Sequence, residues 1–275
     1  MFVIVRRTII LAGIFSILGL FSTTLNAQEE EQQPVSAAGL YNDGLEKLKA
    51  KEYPEALELM ERALEEADSS SETDLKVMKL ARKNGAIAAY YVGTKARKAD
   101  DFETARDIYK KGIEYRPSFY ANYIGYAQAL EGLGMKPKAV AAYLEAGEVC
   151  EKSKKADKAE KMNSKAENMV AVAWGDKDWS LVADMANAYL ENSESADVHY
   201  YLSDALVNEG KTDEALTHID KSIEMAADGP DKYLMQKAEL LEAKGDKTAA
   251  VEVYKQITDS KYVERAKYKI DEIGG

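Results

Sequence analysis

The sequence predicts an all-α protein built from stacked helix pairs, and three observations support this fold class. The chain of 275 residues is 46% hydrophobic and 31% charged, with Ala, Leu, Glu and Lys prominent, as in folded helical proteins. Only 5 prolines interrupt it, and the turn clusters that a β-domain needs at roughly ten-residue spacing are absent. Small and large side chains also recur at one fixed period of 34 residues, as from Ala105 to Ala139.

The first 27 residues differ from the rest and have the layout of a secretory signal peptide. Arg6 and Arg7 precede an apolar stretch from Ile9 to Phe21, and the polar patch that follows ends in the small residue Ala27. The apolar stretch is short for a helix that spans a bilayer. We therefore expect cleavage after Ala27 and export from the cytoplasm, with a retained N-terminal membrane anchor as the alternative.

Residues 28–36 (QEEEQQPVS) are acidic and lack periodicity, which predicts a short disordered spacer. Cleavage removes two of the 37 basic residues and none of the 48 acidic ones, so the mature chain carries a net charge of about −13. Such a surface repels nucleic acid, because binding there needs Lys and Arg to displace counterions. We expect no nucleic-acid partner, and membrane contact only through the transient signal peptide.

From residue 37 onward the sequence divides into helix pairs, and the first two pairs begin with clear signals. Leu40 and Leu48 lie on one stripe of the first helix, and Pro54 falls in the first turn of the second, where a missing N–H costs nothing. The second pair opens at an N-cap cluster, residues 71–74 (SETD), and has a longer first helix.

The later pairs follow the same plan. The segment 132–134 (GLG) follows a helix, so it is interpreted as a C-cap and turn and not as a phosphate-binding loop. Gly210 and Gly245 mark the turns of two further clear copies, and an amphipathic helix covers the last pair. The predicted boundaries are 37–70, 71–119, 120–152, 153–195, 196–229 and 230–259 for the repeats and 260–273 for the cap.

The 34-residue period has a physical cause. Two helices approach closely only where their side chains are small, and a large residue one turn later fills the gap against the next helix. No single pair buries its own apolar face, so each pair depends on its neighbours. The members of this pattern in residues 100–117 are Ala105, Tyr109 and Gly112, and they recur as Ala139, Tyr143 and Ala146.

This pattern resembles the tetratricopeptide repeat family over residues 37–275. The small residues of the first helices are Gly44, Gly93, Ala127, Ser203 and Ala238. Those of the second helices are Ala56, Ala105, Ala139, Ala215 and Ala250, each followed four residues later by Met60, Tyr109, Tyr143, Ile219 or Tyr254. The chain lacks the tryptophan typical of the first helix and has Val182 where the fourth unit should have alanine. The resemblance implies a right-handed α-solenoid of about six pairs with a C-terminal capping helix.

In this family the first helices line a concave groove that holds extended peptides. The resemblance places two columns of side chains in that groove: Tyr41, Tyr90, Ile124, Tyr200 and Met235, then Leu45, Thr94, Gln128, Asp204 and Glu239. Tyrosine is abundant, with 17 Tyr against 5 Phe, and suits surfaces that are half apolar and half wet. The alternative is that these tyrosines pack between helices. The Lys and Asn of the family's clamp for chaperone tails are absent from these columns, so that ligand is not expected.

Residues with catalytic or metal-binding chemistry are few. The two imidazoles, His199 and His218, are 19 residues apart with no HExxH motif or cysteine pair, so we interpret them as polar residues on helix surfaces. Cys150 is the single cysteine and is expected to be a small buried residue. No nucleophile–base arrangement is apparent, so the sequence predicts neither enzyme activity nor a cofactor.

The predicted function is a non-enzymatic scaffold or adaptor that binds an extended peptide or a partner protein in the concave groove. The Ala-Gln cleavage context and the absence of a lipid-attachment cysteine resemble exported proteins of the Bacteroidetes type, which implies a periplasmic or cell-envelope assembly. The alternatives are a structural protein that associates with itself and an accessory subunit of an envelope enzyme complex.

Overall fold

The computed structural model describes residues 36–226 and 229–274, and all regular secondary structure in these ranges is helical. The helices are α1 (Ala37–Lys49), α2 (Tyr53–Glu65), α3 (Glu72–Lys98), α4 (Phe102–Tyr115), α5 (Tyr120–Gly132), α6 (Lys136–Lys152), α7 (Ala156–Gly175), α8 (Trp179–Leu190), α9 (Ala196–Asn208), α10 (Thr212–Met225), α11 (Asp231–Lys244), α12 (Lys247–Tyr254) and α13 (Val263–Gly274). They form six successive pairs and one further helix, which confirms the predicted right-handed α-solenoid with a C-terminal capping helix.

The predicted signal peptide, residues 1–27, and the spacer up to residue 35 lie outside the described residues. Among the helices that are described, none combines the length and the apolar character needed to cross a membrane.

The first helix of a pair contacts the first helix of the next pair, so these helices form one row of the solenoid. Contacts of this kind join α1 to α3, α3 to α5 and α7 to α9. The largest continuous core extends from Ala127 of α5 to Leu240 of α11. Cys150 is buried in α6, as predicted for a small core residue, and burial raises the pKa of its thiol.

The turn inside each pair is short because one of its residues adopts a left-handed conformation. That residue lets the following N–H bond back to the helix that has just ended, as Met135 N does to Leu130 O at 3.0 Å. Glycine adopts this conformation without strain, whereas other residues lose roughly 1 kcal/mol or more there. The residues concerned are Gly134, Gly210 and Gly245 in three pairs and Lys51, Asp100 and Lys177 in the other three.

Tyr109 of α4 packs between two first helices, as predicted for the large residue of the repeat. Its side chain is 1% exposed, and its hydroxyl lies 2.9 Å from Thr94 Oγ1. The ring lies against Gly93 of α3 and Gly125 of α5, where an added Cβ would stand 3.0 Å and 2.3 Å from ring atoms. Both helices reach the ring because neither glycine has a side chain.

Gly112 marks the second close approach of α4, also as predicted. A Cβ there would stand 2.3 Å from Asn122 Nδ2 of α5. Asn122 is fully buried, and its Nδ2 donates a hydrogen bond to Ala86 O at 3.1 Å. Ala105 is fully buried as well, so the small residues of α4 are the points where neighbouring helices meet.

The hydroxyl groups of two large tyrosines bond to carboxylates within their own pair, and a lysine of the next helix joins each carboxylate to the following unit. Tyr143 of α6 donates to the Glu131 carboxylate of α5 at 2.6 Å, and Lys165 of α7 donates to the same carboxylate at 2.7 Å. The same network occurs at the C-terminal end, where its members are Tyr254, Glu242 and Lys269. Because Lys269 belongs to α13, the capping helix stands in the place of a seventh first helix.

The variant Gly125→Ala is expected to lower the free energy of unfolding by about 1–3 kcal/mol, because the new methyl overlaps the buried Tyr109 ring. The matched control is Gly175→Ala at the end of α7, where no atom lies within 4 Å of the added Cβ. That control should be neutral or slightly stabilising. Urea unfolding of both variants measures the difference, and equal midpoints would contradict the close approach at Gly125.

Candidate functional site

Four of the predicted groove residues line one cavity between neighbouring first helices. Tyr90 and Thr94 come from α3, and Ile124 and Gln128 come from α5. The cavity has a volume of about 310 Å³. Its other lining residues are Arg97, Tyr109, Tyr120, Ala121, Gly125 and Lys158. The structure therefore brings together both columns at the second and third pairs, and their role in binding stays a prediction.

The electrostatic character of this cavity is positive. Arg97 and Lys158 are its charged lining residues, and no carboxylate lines it. The Lys158 ammonium lies 5.7 Å from the centre of the Tyr120 ring, and Arg97 Nε is buried without a hydrogen-bond partner among the described residues. Aromatic walls beside unneutralised cations suit a segment that carries both apolar and acidic groups.

Sequence reasoning missed the cationic residues and Tyr120. Arg97 lies three residues after Thr94 on the same face of α3, so its helical spacing is a signal that could have found it. Lys158 belongs to the degenerate fourth pair, where the repeat phase is poorly defined, and no comparable signal was available for it.

Tyr200 and Asp204 of α9 lie in a cluster between helices. Trp174 Nε1 of α7 donates to Asp204 Oδ2 at 2.7 Å, and Gln236 of α11 donates to the other oxygen. The Tyr200 ring lies 5.7 Å from both Trp174 and Tyr233. Burial raises the pKa of the Asp204 carboxyl, and the two neutral donors offset part of this effect. Tyr200 and Asp204 thus make interhelical contacts while staying half-buried, and their role in binding stays a prediction.

Met235 and Glu239 of α11 are also engaged within the protein. Met235 is 4% exposed and belongs to the core beside Tyr254. Glu239 forms an ion pair with Arg265 of α13 at 2.5 Å, and burial raises the pKa of its carboxyl despite that partner. At the sixth pair, Met235 is therefore buried, whereas the Glu239 side chain stays 34% exposed beside Arg265.

Tyr41 of α1 contacts the next first helix. Its hydroxyl accepts a hydrogen bond from Asn84 Nδ2 of α3 at 3.1 Å, and its ring is half-buried. Leu45, one turn further along α1, packs on the same small core as Tyr41. At the first pair, both columns support the contact between α1 and α3.

The two histidines lie against each other, and His199 is buried while His218 is half-buried, which corrects for His199 the interpretation that both are surface residues. His199 is 1% exposed, and its Nδ1 lies 2.9 Å from His218 Nδ1. Its Nε2 lies 2.7 Å from a carboxylate oxygen of Glu194. The buried ring is tolerated because both nitrogens have partners. In the part of the chain that the structure describes, no group of three or more His, Cys, Asp or Glu could hold a metal ion.

This pair should make the α9–α10 contact sensitive to acid. One Nδ1 must donate and the other accept, so the contact needs at least one neutral ring. Burial, His199 and Lys221 lower the pKa of His218 below 6.5, whereas Glu214 and Glu194 oppose this shift. As the pH falls, His218 is protonated in the unfolded chain before it is protonated in the folded protein. Its contribution to the free energy of unfolding is therefore complete above pH 6.5 and decreases as the pH falls towards the lowered pKa of the folded state.

The variant His218→Gln is expected to weaken that pH dependence, because glutamine can still donate to His199 and does not titrate. Urea midpoints at about pH 7.5 and about pH 5.5 measure it. Asp204 and Glu239 titrate in both proteins, so their contributions cancel in the comparison. Identical pH dependence in the variant and the parent chain would show that His218 does not determine it.

Comparison with known proteins supports the repeat family. A tetratricopeptide repeat family model matches residues 200–262, from α9 to the segment before α13. No curated protein matches the sequence significantly.

Solved structures with similar helix arrangements cover most of the chain at low identity. MamA from Desulfovibrio magneticus RS-1 is 17% identical and covers 62% of this chain and 92% of its own, with a TM-score of 0.31. The pilF protein of Pseudomonas aeruginosa is 17% identical over 86% and 96%, with a TM-score of 0.35. The TPR2AB domain of yeast Sti1 in complex with pHSP90 is 16% identical over 87% and 98%, with a TM-score of 0.34. Residues 200–262 thus carry tetratricopeptide repeat sequence, a repeat type that generally mediates protein–protein interaction.

Proposed function

We propose that this protein is a non-enzymatic scaffold or adaptor that binds an extended segment of a partner protein against its first helices. The observation that carries the proposal is the cavity between α3 and α5, which is lined by four of the side chains that the resemblance to the repeat family places in a groove. Tetratricopeptide repeats generally mediate protein–protein interaction, which supports the same function.

The lining of this cavity suits a peptide. Tyr90 and Ile124 offer apolar surface, while Thr94 and Gln128 offer hydrogen-bonding groups beside it. A volume of about 310 Å³ is at the lower end for small-molecule sites and fits one or two side chains of an extended segment. A peptide fills such a site with its side chains and satisfies the polar groups with its backbone.

The charge of the cavity favours a partner segment with an acidic side chain at this position. Arg97 and Lys158 are distant in sequence, one in α3 and one in α7, and both line this cavity. Neither forms an ion pair with a described residue. A carboxylate placed between them would gain two charge-assisted hydrogen bonds. The rest of the chain is acidic, so this cavity differs in sign from the protein as a whole.

We propose further that the partner belongs to a bacterial cell-envelope assembly. The support is the N-terminal sequence, in which Arg6 and Arg7, an apolar stretch and Ala27 follow one another as in exported proteins. Self-association by end-to-end stacking is disfavoured, because α13 covers the last pair through Arg265 and Lys269.

The double variant Lys158→Glu with Gln128→Ala is expected to lose partner capture without loss of helical content. Both side chains line the cavity without supporting the core. The matched control is Lys161→Glu, an exposed charge reversal one turn further along α7. Quantitative mass spectrometry of proteins cross-linked in envelope extracts measures capture. Equal recovery by the double variant and the control would exclude this cavity as the binding site.

Export is tested separately. In cells that produce the chain with a C-terminal tag, the periplasmic or envelope fraction is expected to contain a protein whose first residue is Gln28. N-terminal sequencing of the purified material identifies that residue. A cytoplasmic protein that still begins at Met1 would contradict export, and a membrane-bound one that begins at Met1 would indicate the retained anchor.

A further inference from the structure

Helix α3 is longer than the repeat requires. It has 27 residues, whereas α1, α5 and α9 have 13 each. Gly93 of α3 corresponds to Gly44 of α1, so the additional turns lie at the N-terminal end of α3, from Glu72 onward. One face of these turns packs on the protein through Val77 and Ala81.

The opposite face of the additional turns exposes large apolar side chains. Leu75 is 49% exposed and Leu80 is 42% exposed. Together with Met78 they line a cavity of about 510 Å³ between the N-terminal part of α3 and the end of α4, here termed the α3–α4 pocket. Exposed leucines that meet in a concavity are uncommon on a surface that only solvent covers.

The α3–α4 pocket is also strongly basic. Lys79, Lys83 and Arg116 line it, and none of them forms an ion pair with a described residue. No carboxylate lines the pocket, although the chain has 48 acidic and 37 basic residues. The sign of the charge at this apolar pocket is therefore opposite to that of the chain as a whole, as it is at the groove cavity.

The acidic residues nearest to the α3–α4 pocket line a separate, adjacent cavity. Arg82 and Tyr115 separate it from a second cavity that is lined by Glu61, Glu65 and Glu114. In that cavity Lys111 already pairs with Glu61 at 2.7 Å. Arg82 borders both cavities, so the cations that belong to the α3–α4 pocket alone are those named above.

We propose that the α3–α4 pocket is a second docking site, which binds an acidic segment of a partner protein through a large apolar side chain flanked by carboxylates. The apolar side chain would cover Leu75, Leu80 and the adaptable thioether of Met78. The carboxylates would neutralise the surrounding cations, which raises the association rate as well as the affinity. A concave site favours a protruding side chain over the flat surface of an anionic bilayer.

The test uses the full chain and a fluorescein-labelled synthetic peptide of alternating glutamate and leucine, with fluorescence anisotropy as the readout. Saturable binding that weakens with added salt is expected, and the glutamine–leucine counterpart should bind much less. The pair Lys79→Glu and Lys83→Glu should weaken binding about tenfold or more. Leu75→Ser with Leu80→Ser should weaken it as well, because the apolar contact is lost.

Two controls separate this pocket from general charge effects and from the groove. The pair Lys98→Glu and Lys110→Glu makes the same charge change at exposed sites outside the pocket and should alter affinity less than about twofold. Lys158→Glu removes a cation of the groove cavity, which also favours acidic segments, so the control is the binding component that the Lys79/Lys83 pair removes: Lys158→Glu should retain that component in full. All substituted lysines are exposed, so thermal unfolding should stay as in the parent chain.

Four outcomes would overturn the proposal. Equal weakening by the Lys98/Lys110 pair would show a non-specific charge effect, and loss with Lys158→Glu would place the peptide in the groove. Binding that appears only when residues 29–31 (EEE) are changed to Gln would show that this chain's own segment occupies the pocket. Binding to vesicles that contain phosphatidylserine without binding to the peptide would indicate a membrane surface instead.

Discussion

The contact of the Tyr109 ring with Gly93 and Gly125 is the constraint on which the solenoid and its groove both depend. A second helix contributes the ring, and two successive first helices contribute the glycines, so one side chain sets the distance between three helices. Any Cβ at Gly125 would overlap the ring, and the first helices would have to separate. The same ring forms part of the lining of the cavity between α3 and α5. The packing that stabilises the stack therefore also forms part of the proposed binding surface.

Hydrogen bonds link specific helices in addition to this packing. A tyrosine that is buried between helices must satisfy its hydroxyl, and in this chain it does so on the preceding first helix. The Glu131 carboxylate accepts from Tyr143 and from Lys165, which links two pairs through one group. Repetition of that network with Lys269 explains how a single helix, α13, closes the stack without a partner helix of its own. The buried His199 satisfies one ring nitrogen with the half-buried His218, and this contact depends on protonation.

The distribution of charge connects the fold with the two proposed interactions. The chain is acidic overall, and many of its carboxylates are paired with lysines on helix surfaces. Cations without such partners meet apolar side chains at the groove cavity, through Arg97 and Lys158, and at the α3–α4 pocket. A ligand that covered these apolar side chains would also desolvate the neighbouring cations, which is costly unless the ligand supplies carboxylates. Both sites are proposed as sites for acidic partner segments.

The groove columns came from the resemblance to the repeat family, whereas the sequence by itself determined the helix pairs and the positions of close approach. Period and residue size are enough for this, because they report which face of a helix a residue occupies and how near another helix can come. Tyr90, Thr94, Ile124 and Gln128, which the resemblance placed in the groove, share a cavity. Only the tertiary structure decided which parts of the two columns stay accessible, since this depends on side chains from helices far apart in sequence. Arg265 of α13 covers Glu239, Trp174 of α7 binds Asp204, and the pairing of α9 with α10 buries His199. Lys158 of α7 also lines the cavity between α3 and α5. The repeat pattern of its pair is poorly defined, so the sequence could not place it there, and helix packing sets its distance from α3 and α5.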